Sequence, residues 1–384
     1  MTTPTIPLCV PSLGDDERRL LGECLDSTFV SSVGPFVTRF ESEFAARVGS
    51  QNAVACASGT AAIHLALRAI GVGRGDLVLC QDFTFIASVT PAVHLGAEVG
   101  FIDSEPRSWN LDPALTAQAL DDCVRTGRRP KALIAVHILG QPADLGPIVD
   151  ACARHGVALI EDAAEALGAG WTTAYPHPAC AGRQVGTVGA VGCFSFNGNK
   201  VITTGGGGMA VTADAKLAET MKHLSTQAKL PGLGFVHDQV GYNYRLPNLN
   251  AALGLAQLGR LDGFLARKHA IAQRYRAVAT RLGWTWQPQL AGSVSSDWLA
   301  SCLVGADSGR TRDRILAHLT AHGIQARPLW LPLARQPCLA GSRRWGGAVG
   351  DRLAAEGLSL PCSTGISEVE LERVCAALES HETT

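Results

Sequence analysis

The 384-residue sequence lacks several features that mark common classes of protein. Its twelve cysteines form no Cys-x-x-Cys pair and do not cluster with the histidines, so neither a zinc site nor a disulfide framework is indicated. No apolar run approaches the roughly 20 residues needed to cross a bilayer, and the first residues combine neither a basic start nor an apolar segment. We therefore expect neither export nor membrane insertion, but a cytoplasmic protein with reduced thiols.

Charge is also scarce. Only 17% of the residues are charged, and the formal net charge of -1 argues against nucleic acid or another polyanion as a partner. Hydrophobic residues make up 46% of the chain, which leaves limited polar surface to cover them. A subunit interface would bury the excess apolar surface, so the composition favours an oligomer.

Short apolar runs alternate with helical patterns from about residue 50 to residue 225. Strands spaced by helices of this length need crossover connections, which predicts an α/β domain whose mostly parallel sheet is covered on both faces. The expected strands are 54–56, 76–80, 97–102, 132–138 and 157–161, and the expected helices are 61–70, 85–95 and 145–155.

The rest of the chain predicts a long loop followed by a smaller unit. Residues 229–248 contain glycines and prolines and are expected to form a loop of a length that is usually functional. A single helix is expected from 250 to 280, and an α+β unit follows, with strands 298–304 and 324–330 and helices 312–322 and 368–378. We expect a large domain, 1–255, and a small C-terminal domain, 256–384.

Lys200 is the residue most informative about chemistry. It follows an apolar run and is surrounded by apolar, glycine and neutral polar residues, where desolvation can lower the pKa of an amine and make it a nucleophile toward a carbonyl. The alternative is a surface lysine in a glycine-rich turn. Upstream, an apolar run closed by Glu161 and Asp162 predicts a buried strand with a carboxylate at its carboxyl end. An acid and a lysine so placed fit pyridoxal phosphate chemistry.

Two further segments flank expected strands and helices. Ser58-Gly59-Thr60 precedes a helix, so its N–H groups could bind a phosphate, although any helix N-cap has the same pattern. The hydroxyl of Ser195 could bind the same phosphate, or Ser195 could have only a structural role. Phe85 could stack on a planar cofactor at the edge of the sheet, or it could join Phe83 in packing a helix onto the sheet.

His137 lies at the end of the expected strand 132–138. At that position it could be either a residue of the site or a histidine of the core. The segment 241–245 ends the long loop with polar groups among aromatics, which suits either a loop that closes over a site or an ordinary solvated loop.

Five ordered segments together resemble the DegT/StrS-type sugar aminotransferase family. They are 29–37, 57–62, 161–168, 194–200 and 242–252. The resemblance implies a type I aminotransferase fold with a mostly parallel seven-stranded sheet and a smaller C-terminal α+β domain. It also implies a homodimer with shared active sites, a nucleotide-linked 4-keto-6-deoxy sugar as amino acceptor and L-glutamate as amino donor.

The resemblance assigns roles by position. Lys200 would hold pyridoxal 5'-phosphate as a Schiff base and move the proton, and Asp162 would pair with the protonated pyridine nitrogen. The remaining positions would contact the cofactor: Gly59, Thr60 and Ser195 at the phosphate, Phe85 on the ring, Glu165 near the ring hydroxyl, and Asn243 at the phosphate of the neighbouring subunit's cofactor.

Within the family, the sequence is most similar to the branch that makes UDP-4-amino sugars for legionaminic-acid or bacillosamine-type glycans. It departs from many relatives at Gly205–Gly208, where an acid is common, and at 333–337, where a histidine is common. A dehydratase of the same fold would carry histidine in place of Lys200. A regulator would need a DNA-binding helix pair or a basic face, which neither the charge nor the expected elements supply.

Overall fold

The computed structural model describes residues 5–232, 234–305 and 311–380. The strands of these residues are β1 (Asn52–Cys56), β2 (Leu77–Gln81), β3 (Glu98–Ile102), β4 (Ala132–Val136), β5 (Ala158–Asp162), β6 (Gly170–Trp171), β7 (Val191–Ser195), β8 (Gly208–Thr212), β9 (Thr285–Trp286), β10 (Ser293–Val294), β11 (Ala300–Leu303), β12 (Arg327–Pro328), β13 (Arg343–Trp345) and β14 (Gly357–Leu360).

The α-helices of the same residues surround these strands. They are α1 (Asp15–Asp26), α2 (Pro35–Val48), α3 (Gly59–Ala69), α4 (Thr90–His94), α5 (Pro113–Arg125), α6 (Leu145–His155), α7 (Ala215–Ser225), α8 (Asn248–Gly259), α9 (Leu261–Arg281), α10 (Arg312–Ala321), α11 (Ala348–Glu356) and α12 (Glu368–Ser380).

A large sheet with the strand order β1-β8-β7-β5-β4-β2-β3-β13 forms the centre of the fold. Neighbouring strands from β7 to β13 run parallel, whereas β8 is antiparallel to both β1 and β7. The mostly parallel sheet is therefore confirmed. It has eight strands rather than seven, because β13, from the C-terminal part, pairs with β3. The sequence of β13, Arg-Arg-Trp, is too short and too polar to show a strand pattern.

Helices cover both faces of this sheet, as the apolar runs predicted. Successive residues of a strand point to opposite faces, and in β4 Leu133 and Ile134 belong to two separate core clusters. Helices α3, α4 and α7 pack on the face of Ile134, and α2, α5, α6 and α8 pack on the face of Leu133. The strands are thus buried on both sides, which explains why they read as continuous apolar runs.

The C-terminal part contains a second, antiparallel sheet in the order β12-β14-β11-β9. Helices α9, α10 and α12 accompany it, so the expected α+β unit is confirmed. The strand expected at 324–330 is shorter: only Arg327–Pro328 pairs with β14. Ile324 instead forms a parallel bridge with Ile6, which ties the N-terminal segment to the C-terminal part.

Two expected helices are broken. The helix expected at 250–280 is wrong as a single element, because α8 ends at Gly259, a poor helix former, and α9 starts after Arg260. The helix expected at 85–95 becomes a 3-10 turn, Ile86–Ser88, followed by α4. Pro91 lies in the first turn of α4, where its missing N–H costs no hydrogen bond.

The division into two domains stays a prediction. The expected boundary at residue 255 lies inside α8. The nearest boundary between two helices is at Arg260, between α8 and α9. Among the described residues, no helix combines the length and the apolar content that crossing a bilayer requires.

Candidate active site

A cavity of about 430 Å³ lies at the carboxyl ends of the parallel strands, the usual place for a ligand in this architecture. Seven of the eight residues singled out from the sequence line it. They are Gly59, Thr60, Phe85, Asp162, Glu165, Ser195 and Lys200. The eighth, Asn243, lies outside this cavity.

Lys200 is half-buried in the turn that follows β7. Its backbone N–H donates to the Asn197 carbonyl at 3.0 Å, and its Nζ lies 3.8 Å from the centroid of the Trp298 ring. Burial lowers the pKa of Lys200, while the charges of Glu165 and Asp162 oppose that shift. The environment expected from the sequence is therefore present, and the surface-lysine alternative is not what the structure shows.

The ring of Trp298 is itself fixed beside Lys200. Its Nε1 donates to the Asn199 carbonyl at 2.7 Å, and the ring stacks on Trp330 with an interplanar angle of 11°. An aromatic face at this distance can stabilise the ammonium form of the lysine without abstracting its proton.

Asp162 ends β5 and is buried at the floor of the cavity. Its Oδ2 accepts a hydrogen bond from the Ser88 hydroxyl at 2.7 Å, and its Oδ1 accepts one from the Ala164 N–H at 3.1 Å. The Ser88 hydroxyl is in turn 3.0 Å from that of Thr84. Because these donors fix the carboxylate, it can present a remaining lone pair to a cationic N–H in the cavity.

The N-terminus of α3 lines the cavity where the sequence predicts a phosphate site, and that role stays a prediction. Ser58 caps the helix, its hydroxyl accepting from the Ala61 N–H at 3.0 Å, so the N–H groups of Gly59 and Thr60 are left without intrahelical partners. A Cβ on Gly59 would lie 2.8 Å from the Cβ of Ser195, too close for any side chain. Glycine is therefore required where the backbone approaches β7.

Phe83 and Phe85 have different environments. Phe83 is fully buried and packs edge-on against Trp330, at 5.9 Å between ring centroids. Phe85 is 54% exposed and lines the cavity. Packing onto the sheet thus describes Phe83, while stacking of Phe85 on a ligand stays a prediction.

Glu165 is a buried carboxyl within the same cavity. Its Oε2 accepts from the Leu139 N–H at 2.8 Å. Burial raises its pKa to about 7, although the charge of Lys200 works against that rise. A carboxyl of this kind can hold or release a proton near neutral pH.

His137 is a core histidine and does not line the cavity. Its Nδ1 accepts from the Ala143 N–H at 3.1 Å, so its Nε2 carries the proton and donates to Glu161 at 2.9 Å. Burial disfavours a charged Glu161, but this bond and those from backbone N–H groups outweigh it and lower the pKa of Glu161. Glu161 therefore anchors the end of β5, whereas the next residue, Asp162, faces the cavity.

Asn243 is exposed and its backbone bridges to Thr226. Several large apolar side chains outside the cavity are exposed as well: Phe29, Val33, Phe235 and Val240.

The sequence reading did not identify four side chains that shape the cavity: Ser88, Trp298, Trp330 and Arg327. Ser88 contacts Asp162, and Trp298 contacts Lys200, across long separations in sequence, so no local sequence pattern identifies either residue. Arg327 is exposed, and no hydrogen bond or ion pair holds its side chain among the described residues. Within the same residues, no group of three or more His, Cys, Asp or Glu is placed to hold a metal ion.

Comparison with known proteins identifies the family of the chain. A sequence profile of the DegT/DnrJ/EryC1/StrS aminotransferase family matches residues 11–379. The chain belongs to this family.

Members of the DegT/DnrJ/EryC1/StrS family match along almost the whole chain. A protein of Bacillus subtilis strain 168 named "Putative pyridoxal phosphate-dependent aminotransferase EpsN" is 41% identical over 97% of this chain and 95% of its own length. A GDP-perosamine synthase of Caulobacter vibrioides is 38% identical over 98% of both chains. The solved structure of S. venezuelae DesV has a TM-score of 0.86 and 29% identity over 100% of both chains.

Proposed function

We propose that the protein transfers the amino group of L-glutamate to the 4-keto carbon of a nucleotide-linked 4-keto-6-deoxy sugar. By its family, the chain is a pyridoxal phosphate-dependent sugar aminotransferase. The name of the relative EpsN mentions both this cofactor and aminotransferase activity. The observation that supports the proposal most directly is that Lys200, Asp162 and the turn before α3 open on one cavity.

The residues of the cavity fit this cofactor at three places. The free N–H groups at the start of α3, with the hydroxyls of Thr60 and Ser195, suit a phosphate. The carboxylate of Asp162 suits a protonated pyridine nitrogen, since Ser88 and Ala164 already fix its orientation. The exposed face of Phe85 suits a planar ring.

The chemistry divides between the cofactor and the side chains. When bound, pyridoxal phosphate supplies an electron sink that acidifies the C–H bond next to the amino group being transferred. Lys200 then holds and returns the proton at Nζ, and its lowered pKa increases the unprotonated fraction available for this task. Asp162, held by Ser88 and Ala164, would accept a hydrogen bond from the ring nitrogen. Trp298 restricts the position of Nζ.

The nucleotide of the substrate has two candidates. The name of the relative from Caulobacter vibrioides specifies a GDP-linked product and supports a GDP-linked 4-keto-6-deoxy sugar. The resemblance noted in the sequence supports a UDP-linked 2-acetamido sugar. We propose the GDP-linked sugar as the first substrate to test and the UDP-linked sugar as the alternative.

We also propose a homodimer whose two subunits share each active site. The exposure of Asn243 outside its own cavity, together with the exposed apolar side chains Phe29, Val33, Phe235 and Val240, supports a second copy of the chain packed on this side. The cytoplasmic location expected from the sequence stays a prediction.

The substrate test uses purified protein with bound cofactor. It is incubated with L-glutamate and, separately, GDP-, UDP- and dTDP-linked 4-keto-6-deoxy sugars, and both the sugar nucleotide and 2-oxoglutarate are measured by mass spectrometry. We expect one sugar to gain an amino group in equal amount to the 2-oxoglutarate formed. Cofactor-loaded protein that aminates no member of the panel would contradict the proposal.

Replacement of the lysine tests the assignment of the reactive amine. We expect Lys200→Ala to abolish turnover while still binding pyridoxal phosphate weakly and without a covalent bond, because the cavity keeps its phosphate and nitrogen contacts. Borohydride reduction followed by mass spectrometry should attach the cofactor to wild-type protein at residue 200 and leave the variant unlabelled. Lys216→Ala, an exposed lysine in the first turn of α7, is the matched control and should match wild type.

A further inference from the structure

A buried ammonium group lies behind the candidate catalytic lysine. Lys268, on α9, is only 2% exposed. Its Nζ donates to the carbonyls of Trp298, at 2.8 Å, and Cys362, at 2.7 Å. The same Nζ lies 3.5 Å from the Sγ of Cys9 and 3.5 Å from the Sγ of Cys362. Two of its three protons thus go to carbonyls, and the third faces two sulfur atoms.

The charge of Lys268 has no carboxylate partner within ion-pair distance in the part of the chain that the structure describes. Asp297 interacts electrostatically with Lys268, but its ion-pair partner is His269, at 3.7 Å. A buried charge is costly unless it is compensated. A thiolate between Cys9 and Cys362 is the anion that the surrounding residues can supply.

The two thiols are also chemically unequal. A hydrogen bond from Cys9, followed by the charge of Lys268, lowers the pKa of Cys362 to about 6. The same hydrogen bond, together with burial, raises the pKa of Cys9. Within the pair, Cys362 is therefore the sulfur that ionises more readily beside Lys268, and Cys9 is the one that keeps its proton more tightly, an arrangement found in reactive cysteine pairs.

The backbone brings these cysteines side by side from opposite ends of the chain. The Cys362 N–H donates to the Leu8 carbonyl at 2.7 Å, and the Val10 N–H donates to the Ser363 hydroxyl at 3.0 Å. The two sulfurs share one ammonium and lie within hydrogen-bonding reach of each other. A disulfide requires neighbouring backbones, and the hydrogen bond between Cys362 and Leu8 brings the two backbones together.

We propose that Cys9 and Cys362 form a peroxide-sensitive dithiol that closes reversibly into a disulfide next to Lys200. The Cys362 thiolate attacks one oxygen of hydrogen peroxide, the O–O bond breaks, and a sulfenic acid and hydroxide are formed. The Cys9 sulfur then attacks the Cys362 sulfur, water leaves with the proton of Cys9, and the S–S bond forms. In total two thiols and one peroxide give one disulfide and two waters.

The position of the pair links it to the active site. The Cys9 Sγ lies 3.3 Å from the carbonyl oxygen of Asn199, the residue before Lys200. A small cavity of about 10 Å³ is lined by Cys9, Lys200 and Lys268, which leaves room beside Cys9 for about one water-sized molecule. A small oxidant, rather than a bulky disulfide reagent, therefore suits this site. The proposal does not depend on which sugar the enzyme aminates.

Peptide mapping of the intact cofactor-loaded protein tests it directly. Hydrogen peroxide is added and then removed with catalase, the protein is denatured in N-ethylmaleimide, and unreduced tryptic peptides are analysed by mass spectrometry. Peptides 1–18 and 353–373 each contain one cysteine, Cys9 and Cys362 respectively, and peptide 336–343 contains the exposed Cys338. We expect the first two peptides to be recovered joined, at peroxide doses that leave Cys338 alkylated, and to be separated again by dithiothreitol.

Two variants sharpen the result. In Cys9→Ser the second thiol is missing, so we expect the Cys362 sulfenic acid to persist and to be trapped by dimedone on peptide 353–373. Cys338→Ser, the matched control, should form the disulfide as wild type does. The proposal would be overturned if Cys338 were oxidised while Cys9 and Cys362 stayed alkylated. It would also be overturned if the joined peptides came only from covalently linked pairs of chains on a denaturing gel.

Discussion

At the scale of single residues, hydrogen-bond donors distinguish two buried carboxyl groups of the site. Glu165 and Asp162 are both carboxyl groups that line the cavity, yet only Asp162 receives hydrogen bonds on both of its oxygens, from Ser88 and Ala164. Glu165 has one backbone donor, and burial raises its pKa to about 7. The two acids of this cavity thus differ in how many hydrogen-bond donors compensate them.

Glu165 should give the protein a pH-dependent stability. Its folded pKa, about 7, exceeds its usual value of 4.5, so the folded protein holds the proton more tightly than the unfolded chain does. The contribution of Glu165 to stability is therefore greatest below pH 4.5 and is lost as the pH rises to 7, by up to about 3 kcal/mol.

This prediction is tested by urea denaturation of cofactor-free wild type and Glu165→Gln at several pH values. Because glutamine does not titrate, the free energy of unfolding of wild type minus that of the variant should fall across this interval. Parallel curves for the two proteins would show that Glu165 is not the titrating group.

Gly59 should be intolerant of even one added carbon. A Cβ at this position would meet the Cβ of Ser195 at 2.8 Å, so Gly59→Ala must displace β7 or the start of α3. We expect a loss of about 1–3 kcal/mol in the free energy of unfolding, together with weaker cofactor binding. Thermal denaturation and a cofactor titration measure the two effects.

Gly263→Ala is the control for Gly59→Ala. Gly263 is exposed in the first turn of α9, and no other atom lies within 4 Å of where an added Cβ would be. We expect this substitution to stabilise the protein by about 0.5–1 kcal/mol, because alanine favours the helix more than glycine does. A loss of equal size in both variants would indicate that contact with Ser195 is not the cause in Gly59→Ala.

At the scale of elements, β13 fastens the C-terminal part to the edge of the large sheet. Arg344 Nε donates to the fully buried Asp82 at 2.6 Å, and Arg344 Nη2 donates to Asp351 of α11 at 2.9 Å. Asp103, at the end of β3, accepts from the N–H groups of Gly347 and Gly350 at 2.6 and 2.8 Å. These contacts cap α11 and hold it beside the sheet.

Replacement of Arg344 should lower the free energy of unfolding far more than replacement of the neighbouring Arg343. In Arg344→Met, Asp82 would be left buried without its cationic partner, and we expect a loss of about 3–5 kcal/mol in the free energy of unfolding. Arg343 is 51% exposed and pairs with Asp122 at 2.9 Å, so Arg343→Ala should cost about 1 kcal/mol or less. Denaturant unfolding of both variants checks this, and equal losses would contradict the role of Asp82.

The elements differ in how well the sequence predicts them. The parallel strands β2, β3, β4 and β5 were predictable because burial on both faces makes each one a run of apolar residues, with Asp162 marking the end of β5. The break at Arg260 was not, since the helical pattern continues on both sides of it. The same limit applies within the site: Lys200 stands out in its own segment, whereas Ser88 reaches Asp162 across 74 residues. Such a contact depends on the order of the strands, which the local sequence does not show.

At the scale of the whole molecule, the shared-site proposal predicts complementation between two inactive variants. If Asn243 acts in the partner's site, a dimer of one Lys200→Ala subunit and one Asn243→Ala subunit contains one intact site and one doubly altered site. In a random mixture half of the dimers are of this kind, so we expect about a quarter of wild-type activity.

The measurement uses two differently tagged variants, expressed together, with the mixed dimer isolated through both tags, and this isolated dimer should have about half of the wild-type activity because one of its two sites is intact. Each variant purified alone provides the baseline. Activity of the mixed dimer no higher than that of either parent would contradict a site built from two subunits.

The N-terminal segment has a consequence for the timing of biosynthesis. Leu8 and Ser359 line the same cavity, and the Leu8 carbonyl needs the Cys362 N–H as its partner. While the ribosome is still translating the C-terminal codons, the nascent chain already contains Lys200, Asp162 and the turn before α3, yet one wall of their cavity has not been made. Domains usually fold as they emerge, but here the cavity can be completed only after Cys362 has left the exit tunnel.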